Sequence, residues 1–162
     1  MLKHNHSEAD VEPAPFAGDY WLTTADQAAL LRWAAPRCGV EGGWLADSQA
    51  MGATRGKDGP LKIVGVLNCF HDQGAWIHLA ADGAAPRPVL ACIAPILHHA
   101  FCTLGLRRLT ARIPVENVAA QMLALRAGFT VEGRERVALH GGDLAIFAML
   151  HEDATWLHLE DF

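Results

Sequence analysis

The stretch from Leu61 to Phe70 limits the fold of this chain more than any other. It reads as a strand that is apolar on both faces. Arg55-Gly56-Lys57-Asp58-Gly59-Pro60 precedes it and His71-Asp72-Gln73-Gly74 follows it, and both are turn signals. A strand without a polar face has to be covered on both sides, so the chain needs a sheet with layers above and below.

The remaining sequence supplies enough material for one such domain. With 162 residues, a single core can bury roughly 70% of the surface that the unfolded chain exposes. Apolar residues make up 51% and charged residues 19%, a balance that excludes a disordered chain. The longest uncharged apolar run, Pro88 to Leu106, contains Pro95, His98, His99 and Gly105, which suits no membrane span. Met1 to Val11 is polar and lacks the apolar stretch of a signal peptide, so a cytoplasmic protein is expected. Cys38, Cys69, Cys92 and Cys102 are scattered and are expected to be free thiols. The formal net charge of -5 gives no overall attraction to nucleic acid, although Arg107, Arg108 and Arg112 could form a local basic patch.

Residues 1–17 show no apolar period and are expected to be a flexible arm before a single domain, 18–162. Tyr20-Trp21-Leu22 opens as a strand, closed by Thr23-Thr24. Thr24 is the expected cap of a helix with Ala28, Leu31 and Ala35 on one face, and Pro36 should end it. Residues 38–46 are Gly-rich and irregular, with Trp44 and Leu45 packing inward. Ser48 to Thr54 is a short strand. Ala75 to Ala81 is another, with Trp76, His78 and Ala80 on one face and Ile77 and Leu79 on the other.

A helix follows from about Pro88 to Thr103, where Pro95 should force a kink or a break, and Gly105 closes it. Arg107 to Ile113 alternates as a strand. Val115 to Ala127 is a helix with Val118, Met122 and Leu125 on one stripe and Gly128 as its stop. Phe129 to Leu139 and Asp143 to Leu150 form a hairpin about Gly141-Gly142. The tail is expected to add a short amphipathic helix through Trp156, Leu157 and Leu159. Strands meander first and alternate with helices later, so the sheet must be mixed.

From Leu104 onward the pattern becomes specific. Leu104-Gly-Leu-Arg-Arg-Leu-Thr-Ala-Arg112, then Asn117, Ala127-Gly128-Phe129, Glu132-Gly133 and Arg136 resemble the C-terminal half of the GNAT N-acetyltransferases. The spacing of Asn117 to Gly128 is similar to the branch that includes the ribosomal-protein N-terminal acetyltransferases. Asp143 to Leu150, trailed by Trp156, is similar to its phage- and prophage-associated members. The resemblance covers about Gly65 to Trp156.

This resemblance implies an α/β fold, a central mixed and mostly antiparallel sheet of about seven strands flanked by helices. It also implies transfer of an acetyl or short acyl group from acetyl-CoA, or another acyl-CoA, to a primary amine. The pantetheine would lie along the strand edge at Leu79, Ala80 and Ala81. The pyrophosphate would meet the following helix near Arg87 and Val89, where unpaired N–H groups and the helix dipole favour an anion. Asn117 would be a cofactor contact or a helix cap.

The chain departs from the family pattern in two places. Gly83-Ala84-Ala85-Pro86-Arg87-Pro88 replaces a glycine-rich loop, and Ala124 stands where many members carry a tyrosine that protonates the leaving thiolate.

Amine acylation needs a neutral amine, hence a base near the thioester. His78 is the first candidate, since it sits mid-strand beside the expected groove and titrates near neutrality. The alternative is a histidine merely packed on Trp76. His71 and Asp72 lie at a turn and are weaker candidates. No metal is expected: adjacent helical residues such as His98 and His99 point about 100° apart. Expected acceptors are a small-molecule amine, a protein amine, an aminoacyl-tRNA or a modified base, with no membrane partner and a homodimer left open. A GNAT-fold CoA-binding or interaction protein without catalysis is the rival reading.

Overall fold

The computed structural model describes residues 18–40, 47–139 and 142–155. The expected arm at 1–17, the packing of Trp44 and Leu45, and the tail helix through Trp156, Leu157 and Leu159 lie outside the described residues.

Seven strands form one sheet in the order β1-β2-β3-β4-β5-β7-β6. They are β1 (Tyr20–Thr23), β2 (Gln49–Arg55), β3 (Leu61–His71), β4 (Gly74–Ala81), β5 (Arg108–Pro114), β6 (Thr130–Leu139) and β7 (Gly142–Leu150). Every neighbouring pair is antiparallel except β4 and β5, which run parallel. The sheet is mixed, as the sequence requires, and β3 is interior to it. Among the described residues three helices flank it: α1 (Gln27–Arg37), α2 (Pro86–His98) and α3 (Val118–Ala127).

The doubly apolar β3 is covered on both faces. Val64 and Val66 pack with Leu30 and Ala34 of α1, while Ile63 and Leu67 join the larger core with Val89, Cys92, Ile93, Ile96 and Leu97 of α2. Gly65 lets α2 come close, because a Cβ there would lie 2.1 Å from Ile96 Cδ1.

Four local expectations are corrected. The cap of α1 is Asp26 rather than Thr24, and its side chain accepts from the Ala29 N–H at 3.0 Å. Pro36 lies inside α1, one residue before its end, where little helix remains to be disrupted. α2 begins two residues early at Pro86 and continues through Pro95 without the expected break, and a π-helical turn follows at His99–Thr103.

The fourth correction concerns α3. It starts at Val118, after Asn117, whose side chain accepts from the Ala120 N–H at 3.1 Å. The stripe Val118, Met122 and Leu125 faces outward, at 62%, 45% and 45% exposure. Ala120, Leu123, Ala124 and Ala127 face the core instead. These mostly small side chains let the helix approach the sheet closely.

All four cysteines are free; Cys92 is buried, Cys38 and Cys69 are half-buried and Cys102 is exposed. Among the described residues no helix is long and apolar enough to cross a membrane.

Candidate functional site

The parallel pair β4–β5 is joined over three residue pairs only, Gly74↔Arg108, Ala75↔Leu109 and Trp76↔Thr110. Beyond them β4 stays paired to β3 through Ala81, and β5 stays paired to β7 through Pro114. The two strands therefore part after Trp76 and Thr110 and leave a V-shaped gap that opens toward the end of β4. The chain leaves β4 at Ala81 and enters α2 at Pro86, so the gap leads to the amino end of that helix.

The α2 terminus offers few backbone donors. Ala85 is the cap, and Pro86 and Pro88 occupy the first and third helical positions, where proline has no N–H to offer. The Val89 N–H is already bonded to the Ala85 carbonyl at 3.3 Å. Among the described residues, Gly83, Ala84, Ala85 and Arg87 are left with backbone N–H groups outside the hydrogen-bond ladder, and the Arg87 side chain is exposed beside them. Of the cofactor positions expected from sequence, Ala81 and Arg87 are exposed at this end and Leu79 is half-buried on the α2 face. Ala80 is buried beneath α1 and Val89 is buried in the main core, so neither side chain reaches the gap. Asn117 is exposed, with its side-chain oxygen serving as the α3 cap.

His78 lies two residues beyond the point of parting. It pairs across the strands with Val66, so its side chain is on the α1 face of the sheet. Its Nε2 is 2.9 Å from Asn68 Oδ1. With that oxygen accepting, Nε2 carries the proton and Nδ1 is the basic nitrogen. Burial, reinforced by the Arg112 charge, pushes the His78 pKa down to about 4, so the ring is neutral throughout the physiological range.

Asn68, the partner of His78, is a residue that sequence reasoning passed over. It is buried at 5% exposure, and it follows Val64 and Val66 on one face at period two, so a lone amide in that series was the available signal. A bulge just beyond it, where the β3–β4 register shifts between Asn68 and His71 and Cys69 adopts φ 49, re-aims this end of the strand.

Arg112, on β5 across the gap, was read only as part of a local basic patch, not as a neighbour of His78. Its guanidinium lies 4.4 Å from the centroid of the Trp76 ring and binds both carboxylate oxygens of Glu135 at 2.6 and 2.7 Å. Arg108 likewise clasps Glu132 with two nitrogens, and Arg107 meets Glu152 at 3.3 Å. The expected basic patch is thus a row of neutralised ion pairs. His71, at the turn, bonds the Cys69 carbonyl at 2.7 Å and lies outside this group.

Two open cavities of about 500 and 560 Å³ lie elsewhere, one around Ser48, Met51, Ile96 and His99 and the other around Trp21 and Lys57; neither includes His78 or β5. The gap is an open slot between strands, and the burial, hydrogen bonding and charge that would matter for chemistry converge on it.

No family model matches this chain, and no curated protein matches it. Solved structures do. A dodecameric spermidine N-acetyltransferase from Vibrio cholerae superposes with TM-score 0.69 at 14% identity, over 86% of this chain and 97% of that one. The ribosomal-protein-S5-alanine acetyltransferase of Vibrio fischeri gives TM-score 0.69 at 9% identity, over 85% and 96%. Mycobacterium smegmatis RimJ in complex with CoA-disulfide gives TM-score 0.58 at 22% identity, over 67% and 55%. At these identities the likeness is one of fold, and the chain has the GNAT fold.

Proposed function

We propose that this protein is an N-acyltransferase that moves an acetyl or other short acyl group from acyl-CoA to a primary amine. The observation that carries the reading is the parting of β4 from β5 after Trp76 and Thr110, directed at the amino end of α2. The unpaired edge of β4 from Ile77 onward offers backbone groups to a pantetheine amide chain in the manner of strand addition. The N–H groups of Gly83, Ala84, Ala85 and Arg87, with the Arg87 guanidinium, fit a pyrophosphate. With two prolines among them, that grip is weaker than a glycine-rich loop would give. The fold neighbours act on spermidine and on a ribosomal protein, and one holds CoA as its disulfide, which supports an amine acceptor and a CoA donor.

Bound acyl-CoA supplies an activated acyl carbon and a thiolate leaving group. The chain's own contribution centres on His78. A ring with a pKa of about 4 is a weak base toward a free ammonium group, so the amine has to arrive neutral. His78 Nδ1 then orients the amine and receives the proton that becomes acidic as the C–N bond forms, while Asn68 holds Nε2. The proton finally leaves with the thiolate, delivered by solvent, since Ala124 offers no acid. Tyr20, the chain's only tyrosine, is buried on β1, three strands from β4.

The test has two parts. Acetyl-CoA should raise the melting temperature by a saturable amount. His78→Ala should keep that shift while losing most CoA release with a responsive amine. The wild-type rate should climb with pH as the amine deprotonates, with no break near 6.5. No thermal shift at millimolar acetyl-CoA would refute the reading. Unchanged turnover in His78→Ala would remove His78 from the mechanism. A saturable shift without turnover on any amine would favour a CoA-binding protein without catalysis, the reading that Ala124 and the two prolines support.

A further inference from the structure

The cavity of about 500 Å³ lies where the start of β2, the middle of β3 and the end of α2 meet. Met51 of β2 stands opposite Gly65 of β3, and Gly65 faces Ile96 of α2, so the cavity is on the α2 side of the sheet. His78 is on the other side, across from Val66. Arg87, at the amino end of α2, is a helix length away, about 20 Å for 13 residues. The cavity is therefore separate from the site between β4 and β5.

Two features distinguish it from a packing gap. The first is Ser48, which lies in its wall at 8% exposure and whose hydroxyl has no hydrogen-bond partner among the described residues. A buried hydroxyl is costly to leave unbonded, so a ligand group that reaches it relieves that cost.

The second is the way polar and apolar groups are sorted. Leu67 and Ile96 are buried and Met51 is half-buried, which gives the cavity an apolar floor. At the rim, Gln49 Oε1 accepts from His99 Nε2 at 3.1 Å, and the amide N–H groups of Gln49 remain as donors. Gln27, also at the rim, is already used: its amide bonds the Thr24 carbonyl and both the N–H and the carbonyl of Ala50, each at 2.8 Å.

These features define the ligand. Among the described residues lining the cavity none is an acid, a lysine or an arginine, so an entering ion would lose hydration without meeting a counter-charge. The Gln49 donors and the Ser48 hydroxyl, which both donates and accepts, match the C=O and N–H of an amide. A ring carried on that amide would cover Leu67, Ile96 and the Met51 thioether, which favours aromatic contact.

We propose that this cavity is a binding site for a small uncharged aromatic compound bearing an amide or lactam group. Ser48 and Gln49 hold the amide, and Met51, Leu67 and Ile96 hold the ring.

Nicotinamide is the probe, with nicotinate and benzamidine as an anion and a cation of similar shape. Titrated into the whole chain, nicotinamide should move the backbone amide resonances of Ser48, Gln49 and His99 saturably, with the millimolar constant expected of so small a ligand. The two charged analogues should bind at least fivefold more weakly. Ser48→Ala should weaken nicotinamide binding at least fivefold and yet melt no lower than wild type, because the free protein loses no bond with that hydroxyl. Saturating acetyl-CoA should leave the titration unchanged, whether or not the chain is a transferase. No saturation at tens of millimolar nicotinamide would overturn the proposal, as would equal binding of all three compounds. Retained affinity or a lowered melting temperature in Ser48→Ala would also overturn it, and so would displacement by acetyl-CoA.

Discussion

The sheet has two halves that meet at the β4–β5 seam, and the same kind of amphipathic helix behaves differently over each. Over β1 to β4 the chain is closed on both faces. α1 covers one, and α2 buries Val89, Cys92, Ile93, Ile96 and Leu97 on the other. Over β5, β7 and β6, α3 turns mostly alanines inward and leaves its larger apolar side chains outside. The other face of that half carries the Arg108–Glu132 and Arg112–Glu135 pairs. One core runs through both halves, taking in Leu109, Phe147 and Met149 of the second. What the second half leaves open is the outer side of α3 and the opposite face of β5, β7 and β6, and the candidate site lies where the halves separate.

The largest expected effect tests this contrast at matched positions. Leu97 is fully buried on α2, and Leu97→Ala should cost about 2–5 kcal/mol in urea unfolding, through lost transfer energy and the cavity left behind. Met122→Ala on α3 should change the stability of the dilute chain by less than about 0.5 kcal/mol. Equal costs in dilute solution would mean that α3 is packed as α2 is, and the contrast between the halves would fail.

At the seam, His78 provides the next effect. Its folded pKa of about 4 lies below the ordinary value of about 6.5. The unfolded chain therefore takes up a proton at a pH where the folded chain does not. Stability from this group is present above about pH 6.5 and is lost progressively as the pH falls to about 4. The full loss is on the order of 3 kcal/mol. Urea midpoints across that window should fall in the wild type and fall less in His78→Gln, the difference isolating this residue from the other histidines. Parallel curves would mean that His78 titrates normally and is not buried against Arg112.

Sequence periodicity was enough for the elements whose pattern is set by burial along one strand or helix. The doubly apolar Leu61–Phe70, the alternating Arg107–Ile113 and the hairpin all lie where their patterns put them, give or take a residue. Their mixed order carried the fold class. Periodicity finds a stripe without saying which side of a helix the sheet will take. On α3 the alanines and the Val118–Met122–Leu125 series were both regular, and tertiary packing chose the smaller residues.

Caps failed for a similar reason. Thr24 and Asp26 are both good capping types, and Asp26 prevailed in a left-handed conformation, φ 50, that its type tolerates better than most. Most of the site was illegible because it is assembled across the chain. Asn68 reaches His78 over ten residues, and Arg112 reaches Glu135 over twenty-three. His78 was readable from its mid-strand place beside the expected groove and its residue type, whereas the part Arg112 plays beside it was not, because its partners come from other strands.

The smallest expected effect concerns the link across the seam. Arg112 is a side chain of the open half, yet it stacks on Trp76 and depresses His78, both in the closed half. Its ion pair with Glu135 is partly exposed, so truncation should cost only about 1 kcal/mol, counting the exposed pair and the ring contact together. The informative readout is His78 itself. In Arg112→Ala its midpoint, followed by the ring proton resonances, should rise. It should still remain below about 6.5, because burial is the larger cause and stays in place. Arg112→Lys should restore much of the depression while losing the planar stack on Trp76. An unmoved midpoint in Arg112→Ala would show that the two halves are electrostatically independent at the site, with His78 governed by its own side of the seam alone.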